Sequence, residues 1–169
     1  CVLESWLPDA MLQNMTREHN QSETAFIVAV GGGYELRWFT SLGEIDLCGH
    51  ATLASAHVIF EYLGYKTNEI VFFTRYMGNL RVHKTPQGLL MDFPARQTEP
   101  VNIPQAAIDG FGGLMPQEAF VQRDLFLVYD DEEIIASLRP DMKILADIGR
   151  AVCVTARGIS CDFVSRYFC

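Results

Sequence analysis

Residues 48–64 read CGHATLASAHVIFEYLG, and this stretch decides the fold. Its residues 50–63 predict a helix, which Gly64 ends. Small or apolar residues occupy nearly every face of that helix, whereas a helix at a protein surface carries a clear polar face. The sequence therefore predicts one central, buried helix with a sheet curled around it.

Short apolar segments on both sides of the helix predict the strands of that sheet. Strands are expected at 24–30 and 34–39 before the helix, and at 69–74, 80–84 and 89–93 after it. The triple glycine at 31–33 is followed by neither a helix nor a Lys-Ser/Thr pair, so we favour a hairpin turn over a phosphate-binding loop. A further helix is expected at 8–19.

The second half of the chain predicts a smaller and incomplete unit. Three prolines between residues 94 and 104 are typical of a linker. We expect a first domain at 1–96, a linker region at 97–117 that includes a helix near 104–110, and a partial second domain at 118–169. No counterpart of the central helix follows, and the last strand, expected at 161–168, is apolar. The sheet would then leave an apolar face and an edge uncovered. We expect a homodimer or other self-association, or a further segment of polypeptide, to cover them.

Composition excludes several classes of partner. The net charge of -8 and the isoelectric point near 4.9 leave no basic patch for nucleic acid. No apolar run is long enough to cross a membrane. Five widely spaced cysteines are typical of reduced thiols in the cytoplasm, and no paired cysteine motif predicts a metal site. A small anionic metabolite remains a suitable partner, because backbone amides can bind it locally.

The start of the central helix is the first candidate site. The first amides of a helix have no partners within it, and the helix dipole attracts a carboxylate. Gly49 would let the backbone approach a ligand, and His50 could donate a hydrogen bond or move a proton. Cys48 at this position could act as an acid/base or nucleophile. The alternative is a tight turn with a capping histidine and a buried structural cysteine.

Glu23 is the second candidate. A carboxylate just before an apolar strand can be partly desolvated, which would raise its pKa and suit it to take and return a proton. The alternative is an ordinary solvated glutamate. Glu44 and Asp46 alternate with apolar residues, so we expect them on the solvent side of a strand. His57 is expected to be a hydrogen-bonded core residue.

Several motifs together resemble the PhzF-like family, relatives of the phenazine-biosynthesis isomerase with the diaminopimelate epimerase fold. Their order and spacing agree across essentially the whole chain. The matching stretches are 20–26 (NQSETAF), 37–40 (RWFT) and 44–52 (EIDLCGHAT), with weaker matches at 92–95 (DFPA) and 165–168 (SRYF).

The resemblance implies an α+β fold of two domains, each a mixed or antiparallel sheet curled around a central helix, with the site in the cleft between them. It implies that Glu23 is the catalytic acid/base and that Cys48, Gly49, His50 and Ala51 hold the substrate. The implied activity is a cofactor-independent proton-transfer isomerase or epimerase that acts on a small carboxylate-bearing metabolite. Two alternatives are a thiol-dependent racemase using Cys48, and an inactive fragment or small-carboxylate-binding protein.

The chain departs from the family pattern in ways that bear on activity. Gln21 replaces a usually apolar residue, and Ser41 stands where proline is frequent. The opening strand with its Asp-Ala-Phe and Gly-Asn-Pro motifs is absent, as is the acidic, Gly-Ser-containing start of the second central helix. We therefore expect a chain truncated at both ends that carries one side of the cleft.

Overall fold

The computed structural model describes residues 1–169 and places the first 94 of them in one unit and residues 95–169 in another. The strands of the first unit are built from short apolar segments, and glycine-containing turns separate several of them. Its elements are β1 (Val2–Leu3), α1 (Asp9–His19), β2 (Thr24–Val30), β3 (Gly33–Phe39), β4 (Glu44–Ile45), α2 (Gly49–Tyr62), β5 (Glu69–Thr74), β6 (Gly78–Thr85) and β7 (Gly88–Asp92).

The seven strands of the first unit form one mixed sheet in the order β1-β2-β3-β5-β6-β7, and β4 pairs with β3. The β1–β2 and β3–β5 pairs are parallel, and the other pairs are antiparallel. The β2–β3 hairpin sets Ile27 opposite Leu36 and Val30 opposite Gly33. This arrangement confirms the predicted hairpin and the predicted mixed sheet.

The two faces of the sheet hold different helices. On β2 and β3, Ile27 and Trp38 pack in the core of α2, whereas Phe26 and Phe39 pack with Leu12 of α1. Neighbouring residues on a strand point to opposite faces, so one hairpin supplies both cores. Strand β2 is accordingly apolar at every position after Thr24, whereas β3 keeps Glu35 and Arg37 among its apolar residues.

Helix α2 is the central helix of the first unit, as predicted, but it buries only one of its faces, whereas the sequence predicts burial on nearly every face. The buried residues recur in pairs four positions apart, which is the spacing of one helical face. They are Ala51, Thr52, Ser55, Ala56, Ile59 and Phe60. Leu53, Ala54 and His57 on the opposite face are exposed. The expectation of a hydrogen-bonded core residue at His57 is therefore wrong.

The three glycines between β2 and β3 have three different surroundings. A side chain at Gly31 would meet open space, and Gly32 has a φ of 92°, which favours glycine. A Cβ on Gly33 would lie 2.1 Å from the carbonyl oxygen of Val71 on β5. Gly33 is thus required by the close approach of two parallel strands.

The second unit holds a five-stranded sheet in the order β12-β11-β10-β9-β8 and three short helices. The β10–β11 pair is parallel, and the other pairs are antiparallel. The elements are β8 (Glu99–Pro100), α3 (Gln105–Gly110), β9 (Glu118–Val121), β10 (Leu125–Val128), α4 (Glu132–Ser137), α5 (Met142–Ala146), β11 (Val152–Arg157) and β12 (Phe163–Phe168).

The stretch 97–117 contains the helix expected near 104–110 and more regular structure than its prolines predict. It contains β8 and α3, and Ala107 and Phe111 are buried in the core of the second unit with Leu127 and Val154. Pro104 immediately precedes α3, a position where proline does not interrupt the hydrogen bonds of a helix. Prolines therefore mark the start of a helix here rather than an unstructured connection.

The last strand leaves apolar surface open, as its sequence suggests. Strand β12 pairs with β11 alone, and its alternate residues Val164 and Phe168 pack against the core of the second unit. Phe163, on the other face, is 66% exposed. Self-association through this surface stays a prediction.

Candidate functional site

The N-terminus of α2 is held in place by its own backbone and carries no side-chain cap. Cys48 is the extended residue before the helix, with φ and ψ of -145° and 112°. Its carbonyl oxygen accepts hydrogen bonds from the backbone N–H and the hydroxyl of Thr52, at 3.2 and 2.6 Å. The first amides of α2 are thus left without a side-chain acceptor, which is the arrangement that binds anions.

Gly49 is the first residue of the helix and adopts an ordinary helical conformation. A Cβ at this position would lie 3.6 Å from Phe93 Cε2, a normal van der Waals distance. The fold therefore has space for alanine here. What glycine provides is an uncovered backbone at the helix start.

Three side chains meet at this helix start, and we call them, together with Gly49, the Glu23 corner. Glu23 Oε2 lies 3.2 Å from His50 Nε2. Cys48 Sγ lies 3.7 Å from His50 Nδ1 and 3.9 Å from His50 Nε2. The structure therefore brings together the residues that the resemblance assigns to catalysis and substrate binding.

Local chain geometry explains how Glu23 reaches the corner. Asn20 caps the C-terminus of α1, and its left-handed conformation (φ 49°, ψ 40°) lets its N–H bond to the carbonyls of Thr16 and Arg17. Only three residues then separate Asn20 from β2, which begins at Thr24. The turn thus places Glu23 at the start of a strand in the same core as α2.

Glu23 is shielded from water but incompletely bonded. Its side chain is 22% exposed, whereas that of His50 is 67% exposed. The Oε2 atom is buried and accepts no hydrogen bond of good geometry, although His50 Nε2 is within contact distance. A buried carboxylate oxygen without a full set of donors is uncommon and calls for a functional explanation.

A cavity of about 250 Å³ adjoins the corner. Glu23 and His50 line it with polar groups, and Ala25, Ala54 and Val58 contribute apolar wall. Ala51, in the first turn of α2, also lines it. The cavity thus joins an apolar wall to convergent polar groups, as small-molecule sites do.

The sequence missed an ion-pair network elsewhere in the first unit, which we call the Arg37 cluster. Arg37 donates two hydrogen bonds to Glu44, both 2.7 Å, and contacts Asp9 at 2.9 Å; Arg75 donates to Glu44 at 3.0 Å. The expectation that Glu44 faces solvent is therefore wrong. Because Phe39 pairs with Glu44, Arg37 lies diagonally across the β3–β4 ladder from it.

The Arg37 cluster sets the protonation of Glu44. Burial alone would raise the pKa of Glu44, but the hydrogen bonds from Arg37 and then Arg75 bring it below its usual range. The hydrogen bond to Glu44 likewise raises the pKa of Arg37, against the effect of burial. Both groups stay charged, and their role is to join α1, β3 and β4.

Another carboxylate with several hydrogen bonds lies in the second unit. Asp124 accepts two hydrogen bonds from Arg123, at 3.0 and 2.9 Å, and one from the hydroxyl of Tyr167 at 2.9 Å. Burial tends to raise the pKa of Asp124, and these donors lower it below its usual range. Burial, followed by the bond to Asp124, raises the pKa of Tyr167 to about 12.

None of the five cysteines forms a disulfide. The helices are all too short or too polar to span a lipid bilayer.

Comparison with known proteins places the chain in a family. A family model described as phenazine biosynthesis-like protein (PhzC-PhzF) matches residues 1–169. An uncharacterized isomerase of Pseudomonas aeruginosa is 44% identical over 169 residues, and one of Halalkalibacterium halodurans is 38% identical over 175. Each match covers 99% of this chain but 64% and 65% of the relative, so the chain spans about two thirds of their length.

Solved structures agree with the sequence matches. A PhzF-family protein of Enterococcus faecalis has a TM-score of 0.89 at 45% identity, covering 99% of this chain and 64% of that one. A predicted epimerase from Pseudomonas aeruginosa has a TM-score of 0.57 at 22% identity over 90% of this chain and 62% of that one, which shows likeness of fold alone. The α+β, diaminopimelate epimerase-like fold that the sequence predicts is confirmed. The chain belongs to the phenazine biosynthesis-like PhzC-PhzF protein family.

Proposed function

We propose that this protein is an isomerase that moves a proton on a small carboxylate-bearing metabolite, with Glu23 as the acid/base. The observation that carries this proposal is the buried Glu23 Oε2, which accepts no hydrogen bond and lies 3.2 Å from His50 Nε2 beside a cavity. The uncharacterized isomerases among the relatives support the same class of reaction.

Glu23 has the properties that proton transfer requires. A carboxylate oxygen that accepts no other hydrogen bond keeps a lone pair available for a substrate proton. Partial burial limits competition from water, and the carboxylate can return the proton to a different atom of the same substrate. This chemistry needs no cofactor, because one carboxyl group both takes and returns the proton.

The substrate carboxylate would bind at the start of α2. The uncapped amides at Gly49, His50 and Ala51 point to an anion there, and the helix dipole adds to their attraction. His50 would donate a further hydrogen bond, and Cys48 would form the floor beside it. These donors would also stabilise negative charge that develops when Glu23 removes a proton.

The test is replacement of Glu23 in the protein as its gene encodes it. Deuterium uptake from D₂O into a panel of small amino acids and cyclic carboxylates, followed by NMR, detects proton transfer whatever product forms. Glu23→Gln should lower the exchange rate by roughly 10²- to 10⁴-fold, the usual contribution of a general acid/base. Glu18→Gln, at an exposed position of α1, is the matched control and should leave the rate unchanged. Equal rates for wild type and Glu23→Gln would refute the assignment.

A second candidate function rests on the contact of 3.7 Å between Cys48 Sγ and His50 Nδ1. A thiol and an imidazole at this distance could share a proton, which would make Cys48 the acid/base of a racemase. Cys48→Ala separates the two: it should abolish exchange if the thiol moves the proton, and reduce it only modestly if Glu23 does. Binding of small carboxylates by calorimetry without any exchange would instead indicate a binding protein.

A further inference from the structure

The Glu23 corner contains three kinds of side chain that bind transition metals. A carboxylate, a thiol and an imidazole are all ligands of zinc, and the thiolate in particular selects zinc over magnesium or calcium. One ligand atom from each of Glu23, Cys48 and His50 lies within 4.8 Å of the other two.

The distances between these atoms are close to those of a metal site. With zinc–ligand bonds of about 2.0 to 2.3 Å, neighbouring ligands of a tetrahedral ion are about 3.3 to 3.7 Å apart. His50 Nε2 lies 3.2 Å from Glu23 Oε2 and 3.9 Å from Cys48 Sγ. The ligand atoms of Glu23 and Cys48 lie within 4.8 Å of each other, so small rotations of these two side chains, together with the exposed His50 ring, would bring all three atoms to one ion. Glu23 Oε2 accepts no hydrogen bond that an ion would have to displace.

From this geometry we propose that Glu23, Cys48 and His50 bind a single Zn²⁺ ion, and that the ion inhibits the protein by occupying the substrate corner. The binding part stands by itself, whereas the inhibition part rests on the proposed function. An ion on Glu23 would take the oxygen that the proposed chemistry needs, and it would hold His50 away from a substrate carboxylate.

Charge and access both suit a bound ion. The carboxylate and a thiolate together neutralise Zn²⁺. The start of α2 disfavours a cation, but the same dipole favours the thiolate that the metal requires. His50 is 67% exposed and borders the cavity, which gives the ion a path from solvent. Three protein ligands leave a fourth position for water, as in zinc sites that exchange their ligands.

The experiment is a metal titration of the full chain after removal of metal by a chelator. Zn²⁺ is added in competition with a chromogenic chelator to obtain stoichiometry and Kd. Co²⁺ is added separately, since a cobalt–thiolate bond gives a charge-transfer band in the near ultraviolet. We expect one ion per chain and that band. Loss of a group that only supports a metal ligand weakens binding by up to about a hundredfold. Because Cys48 and His50 would be direct ligands, Cys48→Ser and His50→Gln should each weaken zinc binding by at least that factor.

Matched controls use the other thiols and another histidine. Cys153→Ser in the second unit, Cys161→Ser at the surface and His57→Gln on the exposed side of α2 should leave the Kd unchanged. His50→Gln alters an exposed side chain, so it keeps the test valid even if Cys48→Ser fails to fold. Binding that survives His50→Gln, or that is lost in Cys161→Ser, would refute the site.

The two proposals can fail separately. If Zn²⁺ binds at this corner but Glu23→Gln retains full exchange in chelator, the zinc site stands and the proposed function does not. If proton exchange in the presence of chelator depends on Glu23 but no zinc binds, the proposed function stands and the zinc site does not. If zinc binds with the expected ligands and exchange stays unchanged, its inhibitory role is refuted.

Discussion

The Arg37 cluster and the Glu23 corner are built around carboxylates that are similarly shielded but differently bonded. The side chains of Glu44 and Glu23 are 11% and 22% exposed. Glu44 accepts hydrogen bonds from two guanidinium groups, whereas Glu23 has one imidazole nearby and an oxygen that accepts none. A buried carboxylate with full pairing holds elements together; one with incomplete pairing stays available to a ligand.

The largest effect on stability is expected from breaking the Arg37 cluster. Arg37→Met keeps much of the side-chain volume but leaves Glu44 with Arg75 as its sole guanidinium partner. Removing one member of a buried pair costs about 3 to 5 kcal/mol, and because Arg75 remains we expect roughly 2 to 4 kcal/mol. Urea unfolding measures this free energy. Arg17→Met, at an exposed position, should cost less than about 0.5 kcal/mol; equal losses would contradict the contrast.

Acid should weaken the Arg37 cluster in a predictable direction. The pKa of Glu44 is lower in the folded protein than its ordinary value of 4.5, so its contribution is complete above that pH and is lost as the pH falls through the folded-state pKa. One proton changes the free energy of unfolding by at most about 1.4 kcal/mol per pH unit. The stability difference between wild type and Glu44→Gln should therefore be constant near neutral pH and shrink below pH 4.5. A difference that grows in acid would contradict this assignment.

The second unit offers a smaller test of the same rule. Tyr167→Phe removes one of the three hydrogen bonds that Asp124 accepts and leaves the two from Arg123. We expect a loss of about 1 kcal/mol, the typical net value of one hydrogen bond. Thermal unfolding gives the comparison, with Tyr76→Phe at an exposed position as the control. No change in Tyr167→Phe would show that this carboxylate does not depend on full pairing.

The smallest effect on stability is expected at Glu23 itself. Since its Oε2 accepts no hydrogen bond, Glu23→Gln should shift the free energy of unfolding by less than about 0.5 kcal/mol in either direction. Urea unfolding of this variant beside Arg37→Met completes the comparison. A loss comparable to that of Arg37→Met would make Glu23 a structural residue.

Local patterns predicted much of the fold. Strands at 24–30 and 69–74 and the helix ending before Gly64 follow from continuous apolar runs bounded by turn residues, and the structure has them within a residue or two. Strand β9 and helix α5 were missed, because Glu118–Val121 and Met142–Ala146 are too short for a periodic pattern. Strand β8 was missed because it holds two residues in a proline-rich stretch.

The site depended on long-range information. Nothing local indicates that Glu23 meets His50, which lies 27 positions further along the chain; family resemblance alone suggested it. The Arg37 cluster was missed because the local pattern indicated a different environment for Glu44. The alternation of polar and apolar residues around Glu44 and Ile45 is typical of a strand with one solvent-exposed face. Only the β3–β4 register shows that Arg37 lies beside Glu44. Register is set by pairing across the sheet, which one strand's sequence does not contain.

The triple glycine between β2 and β3 has a consequence for the information content of the sequence. In a library randomised at these positions and selected for folding, Gly31 should drift to almost any residue, since nothing surrounds it. At Gly32, asparagine and aspartate should survive beside glycine, because they tolerate a positive φ. Gly33 should return as glycine alone, since the carbonyl oxygen of Val71 occupies the place of a side chain. Three identical residues are thus constrained to different degrees: Gly31 hardly at all, Gly32 to a few residue types, and Gly33 to glycine alone.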